Sequence, residues 1–324
     1  MALVSVIIPT RNRAHLLPVA VNSVLNQSFR DFELIIVDDG SSDTTAKLRN
    51  RFHDCRVRWL RHDFSRGAAA ARNTGISHSD AEHIAFLDDD DEWYPEKLAR
   101  QVAMLSQAKG KVAAVYAGYL VVDAATGGLI GTKTPAKRGD LYSNLLKGNC
   151  IGATSCVLLR RSCLEEVGGF DERLPSFQDY DLWMRIARHF HFEFIPAPLS
   201  IYYVHPKRIW DDPQVLQQGL EIMLEKYGRS GQFRQYCSNI YIALGTVFCE
   251  SQRMEDGRKA FSTAISLSPY QPKPYFYRGL ACCGARTFSA ARATRARLSV
   301  WLGQKHSGKS KSDAQSQRHH SYQQ

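Results

Sequence analysis

From Val4 to Asp91 the chain repeats one phrase: a short aliphatic run, a polar or acidic turn, and a stretch with helical spacing. Val4-Ser5-Val6-Ile7-Ile8 gives way to Pro9-Thr10-Arg11-Asn12-Arg13, and then to apolar residues at 16, 17, 20, 21, 24 and 25, the period of a helix packed on one face. Leu34–Val37 ends at Asp38-Asp39-Gly40-Ser41-Ser42-Asp43, where Ser42 or Asp43 is placed to cap the next helix. Val57–Leu60 reads as a third strand, Gly67 leads into an alanine-rich helix through Ile76, and His83–Leu87 is a fourth strand. Continuously apolar strands separated by helices are buried on both faces, which makes the fold class α/β with a mainly parallel sheet. Ligands of such sheets sit beyond the carboxyl ends of the strands. Here those ends carry Pro9–Asn12, Asp38–Asp43 and Asp88–Asp91.

The 324 residues, 44% of them hydrophobic, suffice for one α/β domain of about 200 residues and a smaller companion. The expected division is an α/β domain over 1–210, an α-helical region over 211–303 and a disordered basic tail over 304–324. Within the first domain, a block over 111–205 holds strand-like 112–122, apolar 151–159, a turn at Gly168-Gly169-Phe170-Asp171, a helix over 179–190 and a strand near 192–195. Over 239–270, Ala243-Leu244-Gly245, Gly257, Ala260-Phe261, Ala264 and Pro269 fall at the offsets of a single tetratricopeptide-type helix pair. One repeat cannot bury a solenoid face alone, so a plain helical hairpin on the first domain is an equal reading.

The net charge of +10 is uneven: residues 281–324 hold eight Lys and Arg and one acid. A nucleic-acid-binding core would carry that excess on the body, so nucleic acid is not an expected partner. The basic segment from Arg286 to Arg297, with Leu298, Val300, Trp301 and Leu302, suits peripheral contact with an anionic membrane; a solvated helix and loose tail is the plain alternative. Eight cysteines form no CxxC pair, as in a protein with reduced thiols. With no signal-like start and no long apolar window, the expected location is cytoplasmic, or peripheral on the inner face of a membrane.

Phe86-Leu87-Asp88-Asp89-Asp90-Asp91-Glu92-Trp93 is the most informative segment. Five adjacent acids repel one another unless a cation sits among them, and Mg²⁺ or Mn²⁺ with oxygen ligands meets that need while bridging phosphates. A helix N-terminus accounts for one or two such acids, not for a run of four aspartates. Asp39 pairs in a functional reading with Thr10, its carboxylate accepting a uracil N3–H or ribose hydroxyls; an ordinary capped turn is the other reading. Arg72, on the small-residue helix, can reach a diphosphate. Gln178-Asp179-Tyr180-Asp181 places two acids at i and i+2: Asp181 has Arg185 at i+4, while Asp179 is free to face a cleft as a base. His205 is a candidate metal or phosphate ligand.

Together, VSVIIPTRNR (4–13), FELIIVDDGSSDTT (32–45), GAAAARNTGI (67–76), HIAFLDDDDEWYPEKLARQ (83–101), GGFDE (168–172) and QDYDLWMRIA (178–187) resemble the family 2 inverting glycosyltransferases of GT-A fold. The resemblance implies a nucleotide-diphosphate-sugar donor, most simply a UDP-sugar, a divalent metal, a saccharide or lipid-linked acceptor, and inversion at the anomeric carbon. It places the donor at Pro9, Thr10, Arg11, Asp39, Gly67, Arg72, Asp88 and Asp89, the metal at Asp88, Asp90 and His205, and the general base at Asp179. Tyr203 replaces an arginine that many members carry two residues before the histidine. The Gln-x-x-Arg-Trp motif of processive members does not occur, so a single addition is expected. A nucleotidyltransferase, which would want a Gly-rich basic loop after the first strand, and a non-catalytic sugar-nucleotide sensor with a helical binding module are the competing readings.

Overall fold

A computed structural model describes residues 2–205, 212–288 and 290. Of the basic segment expected to meet a membrane, Arg292 to Leu302 lie outside them, as does the basic tail over 304–324. The described chain divides into two compact units at Phe233/Arg234.

The first unit runs in the order β1 (Val4–Thr10), α1 (Leu17–Leu25), β2 (Phe32–Asp38), β3 (Val57–Arg61), α2 (Ala68–Ser77), β4 (His83–Phe86), β5 (Glu92–Trp93), α3 (Lys97–Gln107), β6 (Val112–Asp123), β7 (Leu129–Lys133), α4 (Tyr142–Leu145), β8 (Val157–Arg160), α5 (Arg161–Val167), α6 (Gln178–Ile186), β9 (His191–Val204) and α7 (Pro213–Tyr227). The strands form one sheet in the order β3-β2-β1-β4-β8-β6-β9-β5, with β7 paired to β6. The first four strands are parallel, as their texture requires. The sheet as a whole is mixed: β6 and β9 are also parallel, while β8 runs antiparallel to both β4 and β6, β5 to β9 and β7 to β6. A short aliphatic run such as Val157–Leu159 carries no mark of direction, so this inversion is invisible in hydropathy.

Alternation across β1 explains the layers. Val4, Val6 and Ile8 join Leu17, Val21 and Val24 of α1 and Leu98, Val102 and Leu105 of α3 in one buried cluster. Ile7 points to the other face, where a Cβ on Gly75 of α2 would lie 2.4 Å from its Cγ2. Ala69, Ala70 and Ala71 are buried on the same helix, so its small side chains let it ride close on the sheet. The turn after β2 is capped by Asp43, whose carboxylate accepts from Thr45 N, but the segment it opens, Thr44–Asn50, is a short 3₁₀ helix.

The helix α7 is capped by Asp212 with Pro213 at its first position. It belongs to the first unit, which therefore extends past the expected boundary at 210. Its Val215 carbonyl accepts from Ser176 Oγ, and Tyr227 reaches Asp181. The second unit holds most of α8 (Gly231–Glu250), then α9 (Met254–Leu267) and α10 (Pro272–Cys282). Ser238 bonds to the Ala264 carbonyl and Arg234 to the Leu267 carbonyl, the registry of an antiparallel hairpin; α10 returns along α9, with Tyr277 stacked on Phe261. Among the described residues no helix is long and apolar enough to cross a membrane, and all eight cysteines are free thiols.

Candidate active site

One cavity of about 470 Å³ opens at the carboxyl ends of β1, β2 and β4, and every site residue expected from the sequence lines it. Pro9, Thr10, Arg11 and Asp39 come from the ends of β1 and β2, Gly67 and Arg72 from α2, Asp88, Asp89 and Asp90 from the turn after β4, Asp179 from α6, and His205 from the end of β9.

Asp39 is the hub of the loop that crosses above β2. Its Oδ1 takes His62 Nδ1 at 2.7 Å and Arg66 N at 2.8 Å; its Oδ2 takes Ser65 Oγ at 2.7 Å and Gly67 N at 2.9 Å. A carboxylate only accepts, so Nδ1 of His62 carries the proton. Burial pushes this carboxyl up, and the hydrogen bonds from Arg66, His62, Ser65 and Gly67 outweigh it, leaving Asp39 below the usual value. The loop can lie this close because residue 40 is glycine: at φ +68° a Cβ would stand 2.7 Å from the Phe64 carbonyl carbon. The expected pairing of Asp39 with Thr10 holds only in the backbone, where Asp39 N donates to Thr10 O. The Thr10 hydroxyl turns to Asp89 Oδ2 at 2.7 Å. Both oxygens already accept two hydrogen bonds each from the loop, which fixes the carboxylate in place at this end of the cavity.

The four aspartates after Leu87 do not act alike. Asp88 Oδ1 is held by Arg72 at 2.6 Å and by Thr154 Oγ1 at 3.3 Å. Asp90 faces Arg13 at 3.2 Å and His205 Nε2 at 3.8 Å. Asp91 points inward, takes the Ser155 hydroxyl at 2.6 Å and does not line the cavity. Burial raises Asp89 to about 7, with the neighbouring Asp90 adding to the rise against the Thr10 hydrogen bond. Burial and then Asp88 raise Asp90, and burial, Asp88 and Asp90 raise Asp91 well above the ordinary range. Such a cluster is short of positive charge.

The fit to a divalent cation is partial. His205 Nε2 is buried without a hydrogen-bond partner beside Asp90, as a ligand position would be. Asp88, expected to join them, is turned to the Arg72 guanidinium, which meets its charge instead. Among the described residues no three His, Cys, Asp or Glu side chains converge to hold an ion. Asp90 and His205 could supply two positions, the rest falling to phosphate oxygens and water, as is common for Mg²⁺.

Asp179 stands apart from these acids on the first turn of α6. The adjacent Tyr180 N donates to its Oδ1 at 2.7 Å. Burial raises its carboxyl to about 6, opposed by that bond and by Arg72 and reinforced by Asp88. The helix presenting it is fixed from behind: Trp183 Nε1 donates to Gly152 O, and Tyr180 Oη to Leu145 O. Asp181 is fully buried between Arg185, Lys226 and Tyr227. Phe177, just ahead of α6, is held at φ +61°, a left-handed conformation that a bulky residue adopts only when its surroundings impose it.

The match to the family described as Glycosyl transferase family 2 runs over residues 5–168. The chain belongs to that family. It is 34% identical over 186 residues to the UDP-Glc:alpha-D-GlcNAc-diphosphoundecaprenol beta-1,3-glucosyltransferase WfgD of Escherichia coli, covering 57% of this chain and 70% of that one. Uncharacterized glycosyltransferases of Rickettsia also match, one over only 27% of its own length. Among solved structures, S. aureus TarS 1-349 in complex with UDP-GlcNAc superposes with a TM-score of 0.62 at 15% identity, over 92% of each chain. The mannosyltransferase PcManGT of Pyrobaculum calidifontis in complex with GDP-Man and Mn2+ gives 0.58 at 22% identity, over 92% of this chain and 80% of that one. At these identities the structural likeness establishes the GT-A-like fold.

This glycosyltransferase has cavity residues that sequence reasoning passed over. Arg13 lies in a quoted turn, yet nothing local singles it out until Asp90 is brought to it across 77 positions. Ser155, just behind the lining, bonds Asp91 through its hydroxyl and accepts from Asp88 N; it sits inside an apolar run and carries no signal of its own. Gln178, which takes Arg72 Nη1 at 2.9 Å, was visible only as the residue before Asp179.

Proposed function

We propose that this glycosyltransferase moves a sugar, with inversion, from a nucleoside-diphosphate sugar to an acceptor hydroxyl in the assembly of a polysaccharide or glycoconjugate. One observation carries the reading: a half-buried carboxylate, Asp179, lines the same cavity as the paired cations and acids. The UDP-glucose and diphosphoundecaprenol in the name of WfgD, the polymer in that of the amylovoran biosynthesis glycosyltransferase AmsB, and the UDP-GlcNAc held by TarS support a UDP-sugar donor and a saccharide or lipid-linked acceptor.

In this reading the nucleoside lies toward Pro9, Thr10, Arg11 and Asp39, and the diphosphate meets Arg13, Arg72 and the N-terminus of α2 at Gly67. A divalent cation, Mn²⁺ or Mg²⁺, at Asp90 and His205 would supply Lewis-acid neutralisation of the phosphate oxygens. Arg72 keeps Asp88 paired and is itself oriented by Gln178, so its guanidinium is fixed where leaving-group charge grows. The acceptor oxygen attacks the anomeric carbon opposite the phosphate, the carbon–phosphate-oxygen bond breaks with its electron pair going to the phosphate, and the hydroxyl proton passes to Asp179. The transition state is oxocarbenium-like, so proton transfer is late. A carboxyl raised to about 6 is ionised near neutral pH yet more basic than an ordinary aspartate, which suits it to this step.

The test is a transfer assay over a panel of nucleotide sugars with Mn²⁺, read beside donor binding. Asp179→Asn is expected to bind donor as the parent does while transfer falls about 10²–10⁴-fold. Asp90→Ala should instead lose the Mn²⁺-dependent part of donor binding. Near-normal turnover in Asp179→Asn would remove the base assignment.

A further inference from the structure

The transfer chemistry uses nothing from the second unit, yet part of that unit is charged one way. From Gly257 to Ser312 the sequence holds eleven Lys and Arg and not one Asp or Glu. The helix α10 runs through this stretch. Its inner face, with Pro274, Tyr277 and Ala281, is buried. Its outer face carries Tyr275 and Phe276, 48% and 58% exposed, and the turn leading into it leaves Tyr270 98% exposed. Lys273 is exposed on the same helix, and Arg286 just beyond it. Tyr275 Oη is tied to the Pro269 carbonyl at 2.9 Å, which holds its ring against that turn.

A helix bathed in water on this side would spend such positions on charges of both signs; clustered aromatic rings among cations mark a contact surface. We propose that the outer face of α10, with the turn at Tyr270, docks on an anionic lipid bilayer. The rings enter the headgroup layer, where aromatic side chains with one polar end are at home, and Lys273 and Arg286 lie against lipid phosphates. Single-stranded nucleic acid would attract the same cations, but its binders set their aromatics in a basic groove that tracks the strand. Here the rings stand on the convex surface of a helix, which a bilayer can meet. Only the biological purpose rests on the function proposed above: a lipid-linked acceptor is presented at such a surface.

The test is co-sedimentation of the full chain with vesicles of phosphatidylcholine, with and without phosphatidylglycerol, at low and high salt. The chain should sediment with the anionic vesicles alone and be released by salt. Tyr270→Ser with Phe276→Ser, and separately Lys273→Gln with Arg286→Gln, should each cut the bound fraction about tenfold. These exposed positions should leave the melting curve and donor hydrolysis unchanged. A parent chain that stays in the supernatant overturns the proposal, as do variants that sediment like the parent. Tighter binding to a single-stranded oligonucleotide than to anionic vesicles would assign the surface to nucleic acid. Vesicle binding by a chain without transferase activity would fail the enzymatic reading and leave this one standing.

Discussion

Asp179 illustrates how far one side chain's environment decides its use. It shares a sequence motif with Asp181, two positions on, and the two have opposite surroundings. Asp181 is closed in by Arg185, Lys226 and Tyr227, whereas Asp179 faces the cavity. The pH dependence follows with its sign. As the proposed base Asp179 would work ionised, and burial raises it to about 6, so the active fraction would fall tenfold for each unit below that value. At saturating Mn²⁺, kcat/KM should therefore drop with unit slope on the acid side of about pH 6, and Asp179→Asn should lack that limb. A limb that survived the substitution would belong to another group. The motif itself advertised the first acid as unpartnered and the second as an i,i+4 partner of Arg185, and that much was legible. Asp39 was less so: its position was evident, but the loop donors that bond it at 62, 65, 66 and 67 lie too far along the chain for any local pattern to announce them.

Two helices set the geometry of the cavity, and each can be tested. The close ride of α2 on β1 depends on Gly75 facing Ile7, so Gly75→Ala should cost about 1–3 kcal/mol through overpacking. Because α2 carries Arg72, the same substitution should weaken donor binding beyond what its lower Tm explains; calorimetry beside a donor titration reads both. Behind α6, Tyr227→Phe removes a 2.8 Å hydrogen bond to the fully buried Asp181 carboxylate and should cost about 1–3 kcal/mol in urea unfolding. The alanine-rich texture foretold α2 and its closeness to the sheet. It could not foretell that α7, which begins beyond the expected domain edge, would brace the helix that bears Asp179. That contact is made by Lys226 and Tyr227, more than forty residues after Asp181, and depends on tertiary packing alone.

At the scale of the molecule, the sheet was readable where parallel order follows from burial and unreadable where direction reverses at β8. The shortage of positive charge around Asp88–Asp91 is likewise a property of the assembled cavity. If a cation relieves it, Mn²⁺ with UDP should raise Tm well above UDP alone, and chelation should abolish transfer; equal melting curves would tell against a metal. The same sheet has a further consequence. The residues that line the cavity fall in two stretches of chain, Pro9 to Asp90 and Ala153 to His205. Between the two stretches the chain runs through β5, α3, β6, β7 and α4, and the link between α3 and β6, at 108–111, is a short joint on that path. Grafting at that joint the later portion of a relative that keeps counterparts of Gln178, Asp179 and His205 should hand the enzyme a new recipient while it keeps its fuel, because the remaining donor contacts proposed above all precede the joint.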